Sequence, residues 1–333
     1  MDSSSYFFNK EILEALPLNI REFFIKIPFN ECTDIEEIRL RISKPLMIYK
    51  KNKDYFINKN GTITTDIGKG YIVSQDDIRK SYQLITNYSV YALEEEIKNG
   101  FITLKGGHRV GICGKTILDK DGIKSIQDIS GLNIRIAKQK VGISDHLMKY
   151  LIHGSDQFYN SLIVSSPQCG KTTLLRDIIR NLSNGMTNLN FKGVKVGVVD
   201  ERSEICGVCH GIAQNDVGIR TDVLDSCPKA DGVMMLLRSM SPQVIATDEI
   251  GKKEDANAIE EALNAGVKLI TTVHGNDIED LDKRPYIKPL LAQKIFERII
   301  VLSNDPKVGT IKEIIDGKTN KVIVSYPNKN KGA

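Results

Sequence analysis

The sequence contains no tryptophan, and aromatic residues make up only 6% of its 333 residues. Charge of one sign is also scarce, because 46 basic residues face 42 acidic ones and leave a formal net charge of +4. Nucleic-acid-binding proteins usually combine a basic surface with aromatic side chains that stack on bases, so no nucleic-acid partner is expected. Hydrophobic residues at 41% and charged residues at 26% are ordinary globular usage, and the length suggests roughly two domains.

Long apolar runs are lacking as well, since no stretch approaches the ~18 residues of a membrane-spanning helix. The first residues, Met1–Ser5, contain no basic segment of a secretory signal. We therefore expect a cytoplasmic protein that reaches a membrane only through a partner. Six cysteines would stay reduced there. Cys206 and Cys209 with His210 match a haem-attachment pattern, but no export signal or second cysteine pair accompanies them, which favours coincidence.

The first 140 residues mix helical and strand-like patterns. Ile38 and Leu40 alternate with arginines, the period of a half-buried strand. Ser74 has the position of a helix N-cap, because two aspartates follow in the first turn. A second helix is predicted near residues 90–98, followed by a strand, a turn and a strand. This part is interpreted as a smaller α/β N-terminal domain, residues 1–140.

From about residue 141, short apolar runs alternate with helical patterns. The predicted strands are 162–164, 194–199, 244–246 and 267–273, and the predicted helices are 171–182, 229–239 and 253–265. Apolar strands that alternate with helices indicate a parallel sheet with helices on both faces. We predict a second domain over residues 141–327, and a disordered lysine-rich tail over 328–333.

A phosphate-binding loop is predicted between the first strand and the first helix of that domain. The residues expected to contact the nucleotide are Ser165, Ser166, Pro167, Gln168, Cys169, Gly170, Lys171, Thr172 and Thr173. Gly170 permits close approach of the backbone, Lys171 neutralises phosphate charge, and the Thr172 hydroxyl would ligate Mg²⁺. Ser165 stands where the Walker A pattern has its first glycine. Serine adopts positive φ poorly, so this residue argues against the usual conformation of the first turn of the loop.

A second acidic strand end follows at Asp248 and Glu249, the Walker B pattern. Asp248 would hold Mg²⁺ through water, and Glu249 would polarise the attacking water. An adjacent acid pair belongs to NTPases with an additional strand between the phosphate-loop strand and the Walker B strand. We expect residues 194–199 to be that strand, and the order of strands to fit a RecA-like P-loop NTPase core.

Other polar residues stand at predicted strand ends, where ligands gather in open α/β sheets. His274 is a candidate sensor of the γ-phosphate, although it could simply donate to a nearby backbone group. Glu201 either orients a second water or pairs with Arg202. Arg220 and Arg238 either bind phosphate or pair with acids.

Several segments together resemble the stage III sporulation protein AA family. These segments are residues 167–177, 199–205, 214–225 and 248–251, with 37–41 and 107–111 in the N-terminal part. The resemblance covers nearly the whole chain. It implies an ATPase related to type II and type IV secretion ATPases, with an N-terminal domain, a flexible linker and a RecA-like domain in a hexameric ring. It also implies a mother-cell protein that docks on membrane-anchored partners to power a channel into the forespore.

The resemblance also suggests roles for individual residues. His274 is similar to the His box of the secretion ATPases, and Arg109 and Arg135 are candidates for the arginines that approach the γ-phosphate. The secretion ATPases usually have a Gly-Glu pair where this chain has Asp248-Glu249, which leaves open whether Glu249 or Glu201 orients the water. The expected activity is ATP hydrolysis with Mg²⁺. The rival interpretations are a RecA-like nucleic-acid motor and an ATP-binding assembly scaffold with little turnover.

Overall fold

The computed structural model describes residues 9–89, 93–120, 122–281 and 283–326. The predicted tail, the first residues of the chain and the predicted helix start at residue 90 lie outside these residues. The chain forms two compact units: residues up to Lys138 with Cys209–Gln214, and Gln139–Val208 with Asn215 onward. Residues 209–214 thus group with the first unit, although they lie within the predicted second domain. Across the described ranges, no helix is both long and apolar enough to cross a membrane.

The first unit is built on an antiparallel sheet. Its helices are α1 (Lys10–Glu14), α2 (Leu18–Lys26), α3 (Phe29–Cys32), α4 (Gln75–Ile85) and α5 (Glu94–Lys98). Its strands are β1 (Ile35–Arg41), β2 (Met47–Lys50), β3 (Lys53–Ile57), β4 (Ile63–Thr64), β5 (Phe101–Thr103), β6 (Arg109–Asp119) and β7 (Gly122–Arg135). The described strands are ordered β4-β3-β2-β1-β7-β6-β5.

Two sequence predictions for this unit are confirmed. Ile38 and Leu40 of β1 are fully buried, whereas the arginine between them is not, as the alternation predicted. Ser74 is the N-cap of α4, and its hydroxyl and the Asp77 carboxylate form a reciprocal capping box. Asp77 also accepts hydrogen bonds from Asn19 at 2.7 Å and from Tyr71 at 2.7 Å, which fixes α4 to its neighbours.

The second unit contains the predicted parallel sheet. The helices from residue 139 onward are α6 (Asp145–Leu151), α7 (Lys171–Asn184), α8 (Lys229–Ser239), α9 (Lys253–Asn264), α10 (Ile278–Leu281) and α11 (Lys288–Ala292). The strands that follow β7 in the chain are β8 (Ile152–His153), β9 (Gln157–Phe158), β10 (Ser161–Ser165), β11 (Val196–Asp200), β12 (Val208–Cys209), β13 (Ile212–Ala213), β14 (Thr221–Asp225), β15 (Val244–Glu249), β16 (Lys268–His274), β17 (Arg298–Ser303), β18 (Thr310–Asp316) and β19 (Lys321–Ser325).

The large sheet of this unit is ordered β14-β11-β15-β16-β10-β17-β18-β19. Neighbouring strands from β14 to β17 are parallel, and β18 and β19 add an antiparallel edge. Every residue of β10 and of β11 is buried, so burial along these strands is continuous rather than alternating. Side chains of α8 and α9 pack with the sheet in one apolar cluster. The predicted RecA-like α/β fold is confirmed.

The prediction of which strand lies between the phosphate-loop strand and the Walker B strand was wrong. Residues 194–199 were expected to lie between the phosphate-loop strand β10 and the Walker B strand β15. The strand between them is β16, and β11 lies on the far side of β15. The connection through α9 returns the chain into the middle of the sheet. Order along the chain therefore does not give order in space, because a crossover can return to either side of the strand it leaves.

Candidate nucleotide-binding site

The phosphate loop joins the buried strand β10 to the long helix α7. Ser165 is the last residue of β10, an extended position, so it does not need the positive φ that made serine questionable there. The positive φ values fall instead on Gln168 at 61° and on Gly170 at 87°. Gly170 is the N-cap of α7, and glycine is suited to that conformation because it has no Cβ.

Helix α7 presents unpaired backbone groups to the loop. Its first intrahelical bond runs from the Leu174 N–H to the Gly170 carbonyl at 3.0 Å. The amides of Lys171, Thr172 and Thr173 precede that bond and have no carbonyl one turn earlier within the helix. A helix start of this kind, 14 residues long, attracts anionic groups through its N–H donors and its dipole.

Lys171 lies beside the strand end of β16. Its ammonium is 2.5 Å from His274 Nδ1 and 3.3 Å from the Ser165 carbonyl oxygen. Burial lowers the pKa of Lys171, and the nearby charge of Glu249 opposes that effect only in part. The phosphate-loop lysine is thus partly desolvated, which strengthens its attraction for phosphate.

His274 connects Lys171 to Glu249. Its Nε2 atom is 2.9 Å from Glu249 Oε2. An ammonium group can only donate, so Nδ1 of the ring must accept from Lys171, and Nε2–H then donates to Glu249. This assignment gives a neutral imidazole of defined tautomer between the two charged groups.

Glu201 and Asp248 share a buried lysine that the sequence analysis missed. Lys229 Nζ contacts the Glu201 carboxylate and lies 2.9 Å from Asp248 Oδ1. Burial lowers the pKa of Lys229, but its contacts with the two carboxylates outweigh burial and raise it above the ordinary value. Burial raises the pKa of Asp248, which Lys229 only partly offsets. The sequence did contain a signal for this lysine. Lys229 is the first residue of a predicted helix, a position where the helix dipole disfavours a cation.

Thr172 and Asp248, the two residues predicted to hold Mg²⁺, both belong to the second unit. The Thr172 hydroxyl stands at the start of α7, and the Asp248 carboxylate stands at the end of β15. Hydroxyl and carboxylate oxygens are the hard ligands that Mg²⁺ prefers. Thr271 Oγ1 donates to the Asp248 carbonyl at 2.7 Å, which fixes the backbone that carries the carboxylate.

Asp200 has a structural environment rather than a catalytic one. It is fully buried, and its carboxylate accepts the backbone N–H groups of Glu204, Ile205 and Cys206 at 2.7 to 3.0 Å. Burial raises the pKa of Asp200 to about 6 against the opposing effect of those hydrogen bonds. The carboxylate therefore holds the loop that follows β11 in place.

The candidate arginines of the first unit are cross-strand neighbours. Arg109 of β6 pairs in register with Arg135 of β7. The Arg109 guanidinium lies 3.8 Å from the centre of the Phe101 ring, and Arg135 Nε lies 3.2 Å from Glu37 Oε1. Each therefore has a local contact within its own unit, and their approach to a γ-phosphate stays a prediction.

The remaining sequence candidates lie elsewhere. Arg220 Nη1 donates to the carbonyls of Ser183 and Asn184 at the end of α7, a helix-capping contact that neither of the two predictions for this residue described. Arg238 is exposed at the end of α8. Cys206 is buried and Cys209 half-buried, both as free thiols. Within the residues that the structure describes, no group of three or more potential metal ligands exists.

Two cavities of the second unit adjoin the phosphate loop. One, of about 630 Å³, is largely apolar and reaches Gly170 and Thr173 at the loop. Its other side chains include Ile143, His146, Leu174, Val308, Ile311 and Tyr326. The second, of about 540 Å³, is bounded by Ser166 and His274 and by two cations, Lys283 and Arg284, which the sequence analysis did not single out.

These features define the class. A parallel sheet of RecA-like order, with a glycine-lysine loop on its β10–α7 connection and acids on β15, is a RecA-like P-loop NTPase fold. The chain belongs to the family described as "Sporulation stage III, protein AA", whose model matches residues 8–322. The sequence resemblance is thereby confirmed.

Individual relatives agree with that assignment. The chain is 44% identical over 310 residues to stage III sporulation protein AA of Bacillus subtilis strain 168, covering 93% of this chain and 96% of that protein. Among solved structures it is similar to the ATPase DotB of Yersinia pseudotuberculosis, with a TM-score of 0.56, 14% identity and coverage of 95% and 83%. The pilus retraction motor PilT with bound ADP gives a TM-score of 0.52 at 16% identity, with coverage of 88% and 78%. At such identities, the two structures establish the fold.

Proposed function

We propose that this protein is a Mg²⁺-dependent ATPase of sporulation that converts nucleotide hydrolysis into mechanical work on a partner. The observation that carries the proposal is the cluster at the carboxyl ends of β10, β15 and β16. There the phosphate-loop lysine, a neutral histidine and a glutamate are linked at 2.5 and 2.9 Å, next to the acid expected to hold the metal. Acid, base and cation in one cleft are what phosphoanhydride hydrolysis needs.

The residues divide the chemistry between them. The amides at the start of α7 and the Lys171 ammonium would hold the β- and γ-phosphates. Thr172 and Asp248 would hold Mg²⁺, which supplies charge neutralisation across the phosphates when bound. Glu249 would accept a hydrogen bond from the attacking water and orient it in line.

His274 would report the presence of the γ-phosphate. A phosphate that takes the Lys171 ammonium competes with the ring nitrogen for the same donor. His274 would then keep its contact with Glu249 alone, and release of the γ-phosphate would restore the contact with Lys171. The histidine thereby couples the occupancy of the site to the position of the catalytic glutamate.

The apolar cavity beside the loop supports a nucleoside triphosphate rather than inorganic polyphosphate. Its volume of about 630 Å³ suits a nucleoside, and Val308 with Ile311 offers apolar surface to a base. The cavity meets the loop at Gly170 and Thr173, so one ligand can occupy both.

We further propose that the protein acts as a hexameric ring whose partners are membrane-anchored components of a sporulation channel. The family assignment and the RecA-like fold support this, because related motors assemble as rings. Arg109 or Arg135 would contact the γ-phosphate, with either able to act between protomers. The protein would work in the mother-cell cytoplasm at the forespore membrane.

The test is ATP hydrolysis by the purified chain, with and without Mg²⁺, across a series of protein concentrations. Lys171→Ala and Glu249→Gln are measured beside Glu261→Gln, a change at an exposed position of α9. We expect a specific rate that rises with protein concentration, disappears in the first two variants and persists in the third. Binding of ATP with hydrolysis equal to that of Glu249→Gln would favour the scaffold, or an ATPase silent without its membrane partner.

A further inference from the structure

Lys229 is buried at a place where neither its surroundings nor its helix favour a cation. It is the first residue of α8, and only 7% of it is exposed. A helix start repels positive charge, and lysine is rarely buried without a partner. The two carboxylates that it contacts, those of Glu201 and Asp248, are what hold it there.

The ammonium group lies between acids from two adjacent strands. Strands β11 and β15 are parallel neighbours with Val199 opposite Thr247, so Asp248 lies one residue and Glu201 two residues beyond that pair, and both contact the same ammonium group. Two neighbouring carboxylates repel each other unless a cation lies between them. Lys229 is the cation that lies between these two acids.

We propose that Lys229 is a positioning residue that acts as a resident counter-cation, tying Glu201 to Asp248 and opposing divalent-cation binding until nucleotide phosphates bring further negative charge. This inference rests on the proposed function of the site. The metal is then taken up together with the nucleotide rather than before it. Glu201 is an anchor for Lys229, and Glu249, which contacts His274 instead, is the acid left to orient water.

The test measures binding of Mn²⁺, a paramagnetic substitute for Mg²⁺, to the full-length protein without nucleotide. Lys229→Met removes the charge and keeps much of the side-chain volume. We expect it to bind Mn²⁺ about tenfold more tightly than wild type, because a single neighbouring charge commonly shifts an equilibrium by that factor or more. Lys229→Arg, which keeps the charge, should return the affinity to the wild-type value.

Two controls assign the signal to this site. Asp248→Asn added to Lys229→Met should abolish the gain, since it removes the proposed ligand. Lys268→Met breaks a lysine–glutamate contact of 3.1 Å with Glu297 elsewhere in the same sheet. It should leave Mn²⁺ binding unchanged even where it lowers the thermal unfolding midpoint, which separates a local electrostatic effect from a general loss of stability.

A second variant predicts the opposite sign. Glu201→Gln leaves Lys229 with Asp248 as its one charged partner in the triad, so Mn²⁺ should bind at least threefold more weakly than to wild type. The Glu201→Gln variant also tests the role of Lys229 if Lys229→Met does not fold. Unchanged or tighter Mn²⁺ binding by Glu201→Gln would refute the counter-cation.

The outcomes separate this inference from the proposed function. If folded Lys229→Met binds Mn²⁺ no more tightly than wild type, or binds none that can be detected, the proposed role of Lys229 is overturned. The proposed function still stands in that case, provided that the wild type binds ATP. Failure of the wild type to bind ATP with Mg²⁺ would instead overturn the proposed function itself. A gain in Lys229→Met that Lys229→Arg does not reverse would point to packing rather than charge, and would also overturn the inference.

Discussion

The two ends of the large sheet hold similar charged groups in opposite electrostatic conditions. At the amino end, Glu297 contacts Lys268 at 3.1 Å and Lys318 at 2.7 Å, and it accepts the Asn160 N–H at 3.1 Å. Burial raises the pKa of Glu297, but these three donors outweigh it and hold the pKa below its ordinary value. The amino-end carboxylate is therefore stabilised in its charged form.

At the carboxyl end the balance is reversed. Asp248 has Lys229 within 2.9 Å, yet burial dominates and its pKa stays above the ordinary value. Its second neighbour, Glu201, is another acid that adds to the same effect. Incompletely compensated charge is typical of sites that bind ligands, whereas full compensation is typical of structural ion pairs. The same residue types therefore form a well-compensated ionic cluster at one end of the sheet and an incompletely compensated one at the other.

The largest expected difference between the two ends concerns ATP affinity. Lys171→Met should weaken ATP binding about 100-fold or more, because a partly buried cation that contacts phosphate is removed. Lys268→Met, its amino-end counterpart, should leave ATP affinity within about twofold and lower only stability. Isothermal titration with a non-hydrolysable ATP analogue measures both. Equal losses of ATP affinity in the two variants would contradict the proposed difference between the two ends of the sheet.

The free energy of unfolding should depend more on Asp200, which is fully buried, than on Asp316, which is partly exposed. Asp200→Ala leaves three backbone N–H groups without their acceptor, two of them buried, so the free energy of unfolding should fall by about 3 kcal/mol. Asp316 also accepts two backbone N–H groups, from Lys318 and Thr319, but it is partly exposed to water. Asp316→Ala should therefore cost only about 1 kcal/mol. Urea unfolding of both variants checks the order, and a larger loss at Asp316 would contradict it.

His274 should affect turnover more than binding. His274→Ala removes the link between Lys171 and Glu249, so kcat should fall about tenfold while KM for ATP changes by less than about twofold. His274→Asn can still accept and donate and should recover part of kcat. Steady-state hydrolysis gives both constants. A change confined to KM would show that the histidine binds nucleotide rather than coupling the two groups.

The smallest expected effect is the pH dependence of the stability that Glu297 contributes at the amino end of the sheet. The pKa of Glu297 is lower in the folded state, so the unfolded chain binds more protons between the two pKa values. The stabilisation from Glu297 is thus complete above its unfolded pKa near 4.3 and is lost as pH falls through the folded value. Glu297→Gln should cost about 1 kcal/mol at pH 7 and nothing below the folded pKa. Denaturation of both proteins at pH 7 and at successively lower pH tests the sign, since the difference in stability should shrink as pH falls.

Local patterns explain why much of the fold could be predicted. Strand β10, helix α7 and the start of α4 depend on signals within a few residues: an unbroken apolar run, helical periodicity and the Ser74 cap. The Gly170-Lys171-Thr172 segment was recognisable for the same reason, since its chemistry is contiguous. Lys229 was missed because its meaning comes from partners 28 and 19 positions away, which no local pattern connects.

The sequence by itself determined the elements, the phosphate loop and the family, because each depends on neighbouring residues along the chain. The tertiary structure decided the order β11-β15-β16-β10, which was predicted wrongly, because crossover connections place strands by packing rather than by sequence position. It alone brought His274 between Lys171 and Glu249, and Lys229 between Glu201 and Asp248. Those contacts join separate strands and helices, and their energies depend on distance and burial that exist only once the sheet has formed.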